Sequence, residues 1–273
     1  MKVLCLHGQG TSGDIFRSQS AAFRAKLGPG YTFTFVDAPF PCPPAPGIRV
    51  FYESGHYAWW TRQTVPLIKG SHQRLLDIIH ESGPYDVLCC FSQGCSLVFS
   101  FLLYHAREAA DDEPLPFKAV VFICGGIPFP VLEDLGYKVS PRAYEINDQT
   151  VGIMKAKAAN LATMAANPGM IKVGVGLWDD TTDLIHDPSV IPEEEDVFGL
   201  DMTKMPEDLR INIPTVHIYG AKDPRWPTSM QLASFSKEGS RRMYDHGGGH
   251  DIPRSTEVSE RIAGLFRGLE RFL

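Results

Sequence analysis

A chain of 273 residues that is 44% hydrophobic can hide a large core, and at this length roughly 75% of the extended surface is buried on folding. A formal net charge of -6, with acidic and basic residues interspersed, leaves no electrostatic footprint for nucleic acid or an anionic membrane, and no run of about 18 apolar residues could cross a bilayer. The six cysteines include no Cys-x-x-Cys pair and read as reduced thiols. With an apolar start at residues 3–6 too short for a signal-peptide core, they lead us to expect a cytoplasmic protein.

The first expected strand, residues 2–6, runs into His7-Gly8-Gln9-Gly10-Thr11-Ser12-Gly13, a glycine-rich loop without the G-x-G-x-x-G spacing or lysine of a phosphate loop. A helix at 15–27 and a strand at 31–36 follow. Residues 38–62 carry Pro39, Pro41, Pro43, Pro44 and Pro46, and so read as a loop; it ends in the aromatic group Tyr57, Trp59, Trp60. Next come a helix at 65–81, an apolar strand at 86–90, a helix at 93–108 and a strand at 119–123. Residues 128–213 are far longer than a normal connection, contain a helical stretch near 147–166, and are read as a lid or cap insertion. Within them, 174–192 comes closest to disorder, and the acidic run 193–196 is a solvated loop rather than a metal site. A strand at 215–219, a helix at 229–237, a strand at 241–244 and a helix at 255–272 complete the chain. Apolar runs alternating with helical periods predict one α/β domain over 1–273, with a mostly parallel sheet and helices on both faces.

Three polar residues fall at strand exits, where active groups of open α/β sheets gather. Ser92, in Cys90-Phe91-Ser92-Gln93-Gly94, lies between an apolar strand and an amphipathic helix, as a nucleophile elbow requires. Cys90 stands where the G-x-S-x-G pattern has its first glycine. The same serine could instead serve only as a helix N-cap. Asp223, in Gly220-Ala221-Lys222-Asp223-Pro224, suits the acid that fixes a histidine tautomer, although an Asx-turn is a second reading. His250 lies on the loop His246-Gly247-Gly248-Gly249-His250 and is preferred as base over His246, because the loop rather than the strand exit must reach Ser92. The order Ser92, Asp223, His250 is that of α/β hydrolases. The expected oxyanion donors are the N–H of Gln93 and one from Gly8 or Gln9, with Gln9 preferred. Tyr57, Trp59, Trp60 and Trp226 are candidates to wall an apolar pocket, with Trp178 a further one; core packing is the alternative for the aromatic cluster. No residues at metal-ligand spacing are found, and the chemistry requires no metal or organic cofactor.

Taken together, Leu6-His7-Gly8, Trp59-Trp60, Phe91-Ser92-Gln93-Gly94, Gly220-Ala221-Lys222-Asp223 and Gly248-Gly249-His250-Asp251-Ile252-Pro253 resemble the FSH family of serine hydrolases over nearly the whole chain; residues 128–213 are the part least covered. The resemblance implies an α/β-hydrolase fold and acyl transfer to water by a small cytosolic esterase or thioesterase, similar to fungal enzymes that release a polyketide from its synthase. The expected partners are a small acyl thioester or ester and the acyl-carrier domain of a synthase. A carboxylesterase acting on small esters or lactones is the alternative within enzymes. A non-catalytic ligand-binding protein on the same scaffold is the alternative from another class.

Overall fold

The computed structural model describes residues 1–53, 55–108, 114–167 and 176–273. In chain order the strands and α-helices are β1 (Lys2–Leu6), α1 (Gly13–Gln19), α2 (Ala21–Arg24), β2 (Thr32–Val36), β3 (Phe40–Pro41), β4 (Tyr57–Ala58), α3 (Val65–Ser82), β5 (Val87–Phe91), α4 (Gln93–Glu108), β6 (Ala119–Ile123), α5 (Phe129–Asp134), α6 (Pro141–Ala166), β7 (Thr215–Tyr219), α7 (Trp226–Ser234), β8 (Arg241–Asp245) and α8 (Thr256–Leu269).

Six strands form one sheet in the order β2-β1-β5-β6-β7-β8, and every neighbouring pair is parallel. The central strands β5 and β6, with sequences VLCCF and AVVFI, are buried throughout; strands covered by helices on both faces need such unbroken apolar runs. Successive side chains point to opposite faces, which divides the core in two. Leu4, Leu6, Leu88, Cys90, Val120 and Phe122 pack toward α3, α4 and α7, whereas Val3, Cys5, Val87, Cys89, Val121 and Ile123 pack toward Phe16, Phe23, Ile262 and Phe266 of α1, α2 and α8. All carboxyl ends meet at one edge. From β1 the chain steps outward to β2 and then returns to build the other side from β5, which creates the switch point where open sheets bind ligands.

Several boundaries differ from those read in the sequence. The helix expected at 15–27 is split at Ser20, whose hydroxyl donates to the Phe16 carbonyl (2.7 Å) and so competes with the backbone ladder. The proline-rich loop contains the short antiparallel pair β3–β4. Helix α6 begins at Pro141 rather than near 147: Ser140 Oγ accepts from Ala143 N–H (3.1 Å), and proline is well suited to a first helical turn. Residues 168–175, of which only 174 and 175 belong to the stretch read as closest to disorder, lie outside the described residues. Among the described residues no helix is long and apolar enough to cross a membrane.

Candidate active site

Ser92 follows β5 directly and has φ of 49°, in the left-handed region that a side chain enters only at a cost of about 1–3 kcal/mol. Its N–H donates to the Ile123 carbonyl on β6 (3.0 Å), anchoring the turn to the sheet. The turn is this tight because α4 starts against the end of β1. A Cβ on Gly94 would lie 2.3 Å from the Leu6 carbonyl oxygen, so only glycine permits that approach. Cys90 is fully buried and its carbonyl accepts from the Cys95 thiol (3.2 Å); cysteine fits the site where the elbow pattern has glycine.

The acid and histidine loops leave β7 and β8, adjacent strands, and are fastened backbone to backbone. Lys222 N–H donates to the Gly248 carbonyl (2.9 Å) and His246 N–H to the Tyr219 carbonyl (2.8 Å). Asp245 Oδ1 accepts from Ala221 N–H (2.9 Å) and Gly247 N–H (2.7 Å), joining both turns. The approach is so close that a Cβ on Gly220 would lie 2.1 Å from the Gly248 oxygen.

These loops bring together three residues far apart in sequence. His250 Nδ1 is 2.8 Å from Asp223 Oδ2 and His250 Nε2 is 3.1 Å from Ser92 Oγ. A carboxylate can only accept, so Nδ1 carries the proton and the Nε2 lone pair faces the hydroxyl. Asp223 is fully buried, and its other oxygen accepts from Arg225 N–H (2.7 Å), so the Asx-turn and the contact to histidine coexist on one side chain. His246 does not reach Ser92: its Nδ1 accepts from Gly248 N–H (3.1 Å) inside its own loop, and burial lowers its pKa.

Gly8 and Gln9 follow β1 on the other side of the serine. A Cβ on Gly8 would be 3.1 Å from Ser92 Cβ, which puts this backbone directly beside Ser92. Among the described residues neither the Gln9 nor the Gln93 N–H has a hydrogen-bond acceptor, leaving both free to bind an oxyanion. The Gln93 side chain is committed elsewhere, with Oε1 accepting from Trp59 N–H (2.9 Å). Buried His7 sets the loop: its Nε2 accepts from Ala38 N–H (3.0 Å), so Nδ1–H donates to the Gly8 carbonyl (2.7 Å), and burial holds its pKa down. Sequence reasoning gave His7 no role; its place directly after an apolar strand was the available signal.

A cavity of about 840 Å³ opens over Ser92 and His250. One wall is the proline-rich loop, including Pro43, Pro46 and Ile48, and the other is Met154, Ala158 and Leu161 of α6. Trp178 closes it beside the histidine, its ring so near Gly249 that an added Cβ would lie 2.0 Å from Trp178 Cγ. Of the aromatic residues considered for the pocket wall, Trp178 lines the cavity, whereas Tyr57, Trp59, Trp60 and Trp226 are not among its lining residues. Trp59 is fully buried and donates from Nε1 to the His7 carbonyl (2.9 Å), Trp60 lies in the same core, and half-buried Tyr57 zips its backbone to Gly10 and Thr11. Trp226 is buried at the start of α7, stacked on His186 with ring centroids 4.8 Å apart. Aromatic clustering alone does not separate core from cavity, because both are apolar.

Cys124 directly follows β6 with φ of 48° and joins Asp223 and His250 in a group whose donor atoms lie within 4.8 Å of one another. Burial pushes its thiol well up, so it stays an S–H, and Asp223 and His250 already bind each other; this donor set does not suit a metal ion.

Comparison with known proteins agrees with this architecture: the serine hydrolase (FSH1) family profile matches residues 1–262. The chain belongs to that family. Esterase FPY3 of Fusarium mangiferae is 27% identical over 274 residues, covering 99% of this chain and 96% of its own length. Esterase alnB of Emericella nidulans is 28% identical over 271 residues, covering 94% and 92%. Among solved structures, a carboxylesterase from Mesorhizobium loti aligns over 98% of this chain and 88% of its own, at 13% identity and a TM-score of 0.49. The chain is a serine hydrolase built on a parallel six-stranded α/β sheet.

Proposed function

We propose that Ser92, His250 and Asp223 are the catalytic triad of this hydrolase and that its substrate is a thioester or ester of a bulky or long acyl group. The observation carrying the assignment is the unbroken contact from Asp223 through His250 to Ser92, at 2.8 and 3.1 Å. His250 Nε2 takes the Ser92 proton as Oγ adds to the carbonyl carbon, and the resulting oxyanion accepts from the Gln93 and Gln9 N–H groups. The imidazolium, stabilised by Asp223, returns that proton to the departing thiol or alcohol and leaves an acyl-serine. Water, deprotonated by His250, then adds to the acyl carbon and the serine leaves with the proton, restoring the enzyme.

The large, mainly apolar cavity supports a bulky or extended acyl group such as a polyketide delivered on an acyl-carrier domain. The esterase names of the relatives favour a second reading, a carboxylesterase acting on oxygen esters or lactones. Turnover of matched thioesters and oxygen esters across a series of acyl lengths separates the two. The triad is tested by Ser92→Ala, which should abolish covalent labelling by a fluorophosphonate; labelling at an unchanged rate would refute it. Intact-mass detection of an acyl adduct, after incubation with candidate acyl thioesters, identifies the acyl class.

A further inference from the structure

Helix α6 carries one stripe of residues at three- and four-residue steps, Asn147, Thr150, Met154, Ala158 and Leu161, which places them along one face. The last three line the cavity. The first two grip a single side chain of the acid loop. Arg225 Nη1 donates to the Asn147 carbonyl (3.0 Å) and to Thr150 Oγ1 (2.7 Å), and Nη2 donates to Asn147 Oδ1 (3.0 Å). Thr150 is fully buried and Arg225 half-buried, so the contact is partly shielded from solvent. At its other end the same residue holds the acid, because Arg225 N–H donates to Asp223 Oδ1 (2.7 Å). Burial of the guanidinium lowers its pKa to about 10, still charged at neutral pH, and no carboxylate among the described residues pairs with it at salt-bridge distance. A half-buried cation that spends its donors on neutral helix oxygens loses hydration, and these contacts offset that loss.

We propose that Arg225 is a positioning residue joining the wall of the acyl cavity to the acid, so that a long acyl group seated against α6 holds Asp223 in register with His250. This rests on the triad reading above. Short acyl groups end before the Met154, Ala158 and Leu161 face and draw nothing from the connection. Long ones press on the helix whose other half is fixed to the acid loop.

The test compares wild type with Arg225→Met on p-nitrophenyl acetate and p-nitrophenyl decanoate. We expect kcat to fall by roughly tenfold or more with decanoate and by less than about threefold with acetate, the scale of losing a few charged hydrogen bonds only where they are used. Equal losses on both esters, or a higher KM for decanoate at unchanged kcat, would mean that Arg225 merely props the fold or the wall, and would overturn the proposal. A second readout uses non-additivity. In an Asp223→Asn background, Arg225→Met should change decanoate turnover by less than about twofold, because its route to the histidine is already cut; a full further loss overturns the proposal. If Arg225→Met does not fold, Thr150→Val, which deletes one acceptor, carries the same comparison, and a length-independent response to it counts against the connection. Failure here is distinct from failure of the triad. Labelling that persists in Ser92→Ala removes the triad, whereas Ser92-dependent labelling with a length-independent loss in Arg225→Met removes only this proposal.

Discussion

The proposed catalytic centre and the cavity above it are built by different physical means. At the centre, backbone meets backbone: β1 against the start of α4 at Gly94, and the acid turn against the histidine turn at Gly220 and Gly248, with hydrogen bonds such as Lys222 N–H to Gly248 O (2.9 Å) closing the gaps. In the cavity wall, side chains meet across partly exposed segments: Leu161 against Gly47 and Trp178 against Gly249. Backbone contacts fix atoms to fractions of an ångström and tolerate almost no substitution, whereas side-chain contacts can be exchanged for others of similar volume. The centre therefore suits invariant chemistry, and the wall suits adjustment to a particular acyl group.

The sharpest way to break this contrast is Gly220→Ala. Its methyl would overlap the Gly248 carbonyl at 2.1 Å and drive the two loops apart, so kcat should fall at least about a hundredfold on every ester regardless of acyl length. A variant retaining near wild-type kcat would show that the loops are looser than their contacts imply. On the other side of the comparison, Trp178→Ala removes one wall while leaving the triad's hydrogen bonds in place. We expect about a five- to tenfold drop in kcat/KM for decanoyl esters and less than about a twofold change for acetyl esters. A uniform drop would place Trp178 with the centre instead.

The smallest effect concerns stability away from both regions. His72 and His217 are buried and neutral, with pKa values pushed down from 6.5 to about 4 and about 3 by loss of hydration. The unfolded chain takes up protons first, so their contribution is complete above about pH 6.5 and is lost as pH falls toward about 4 and 3. Each contributes a slope of about 1.4 kcal/mol per pH unit within its window. The unfolding midpoint should decline through that range, and His72→Phe should flatten the decline. An unchanged slope in His72→Phe would show that His72 is protonated in the folded state.

The division also explains what could be read from the chain alone. The strand cores VLCCF and AVVFI declare themselves by composition, and Ser92, Asp223 and His250 declare themselves by standing at strand exits, where a short-range pattern fixes a residue's position along the sheet edge. Gly94 and Gly220 were visible as small residues next to those positions. The cavity was less legible. Its wall depends on which of several aromatic residues turn inward, and Trp59, Trp60 and Trp178 are chemically alike in sequence; only long-range packing sends the first two into the core and the third over Gly249. Arg225 was likewise hidden, because its partners lie on α6 (Asn147 and Thr150), far away along the chain. The split of the first helix at Ser20 and the start of α6 at Pro141 turned on single hydroxyl groups that periodicity does not register.

The short β3–β4 pair has a further consequence. Beyond Phe40 and Pro41, which pair with Ala58 and Tyr57, Cys42 N–H donates to the His56 carbonyl (3.0 Å), so the proline-rich excursion leaves and re-enters the body at one clasp. Chain inserted or removed between those ends alters the reach of the cavity rim at a closure cost that grows only slowly with length, and the serine, acid and histidine loops do not have to move. Ser92, Asp223 and His250 thus stand on one foundation, and the rim of the cavity above them on an interchangeable cassette.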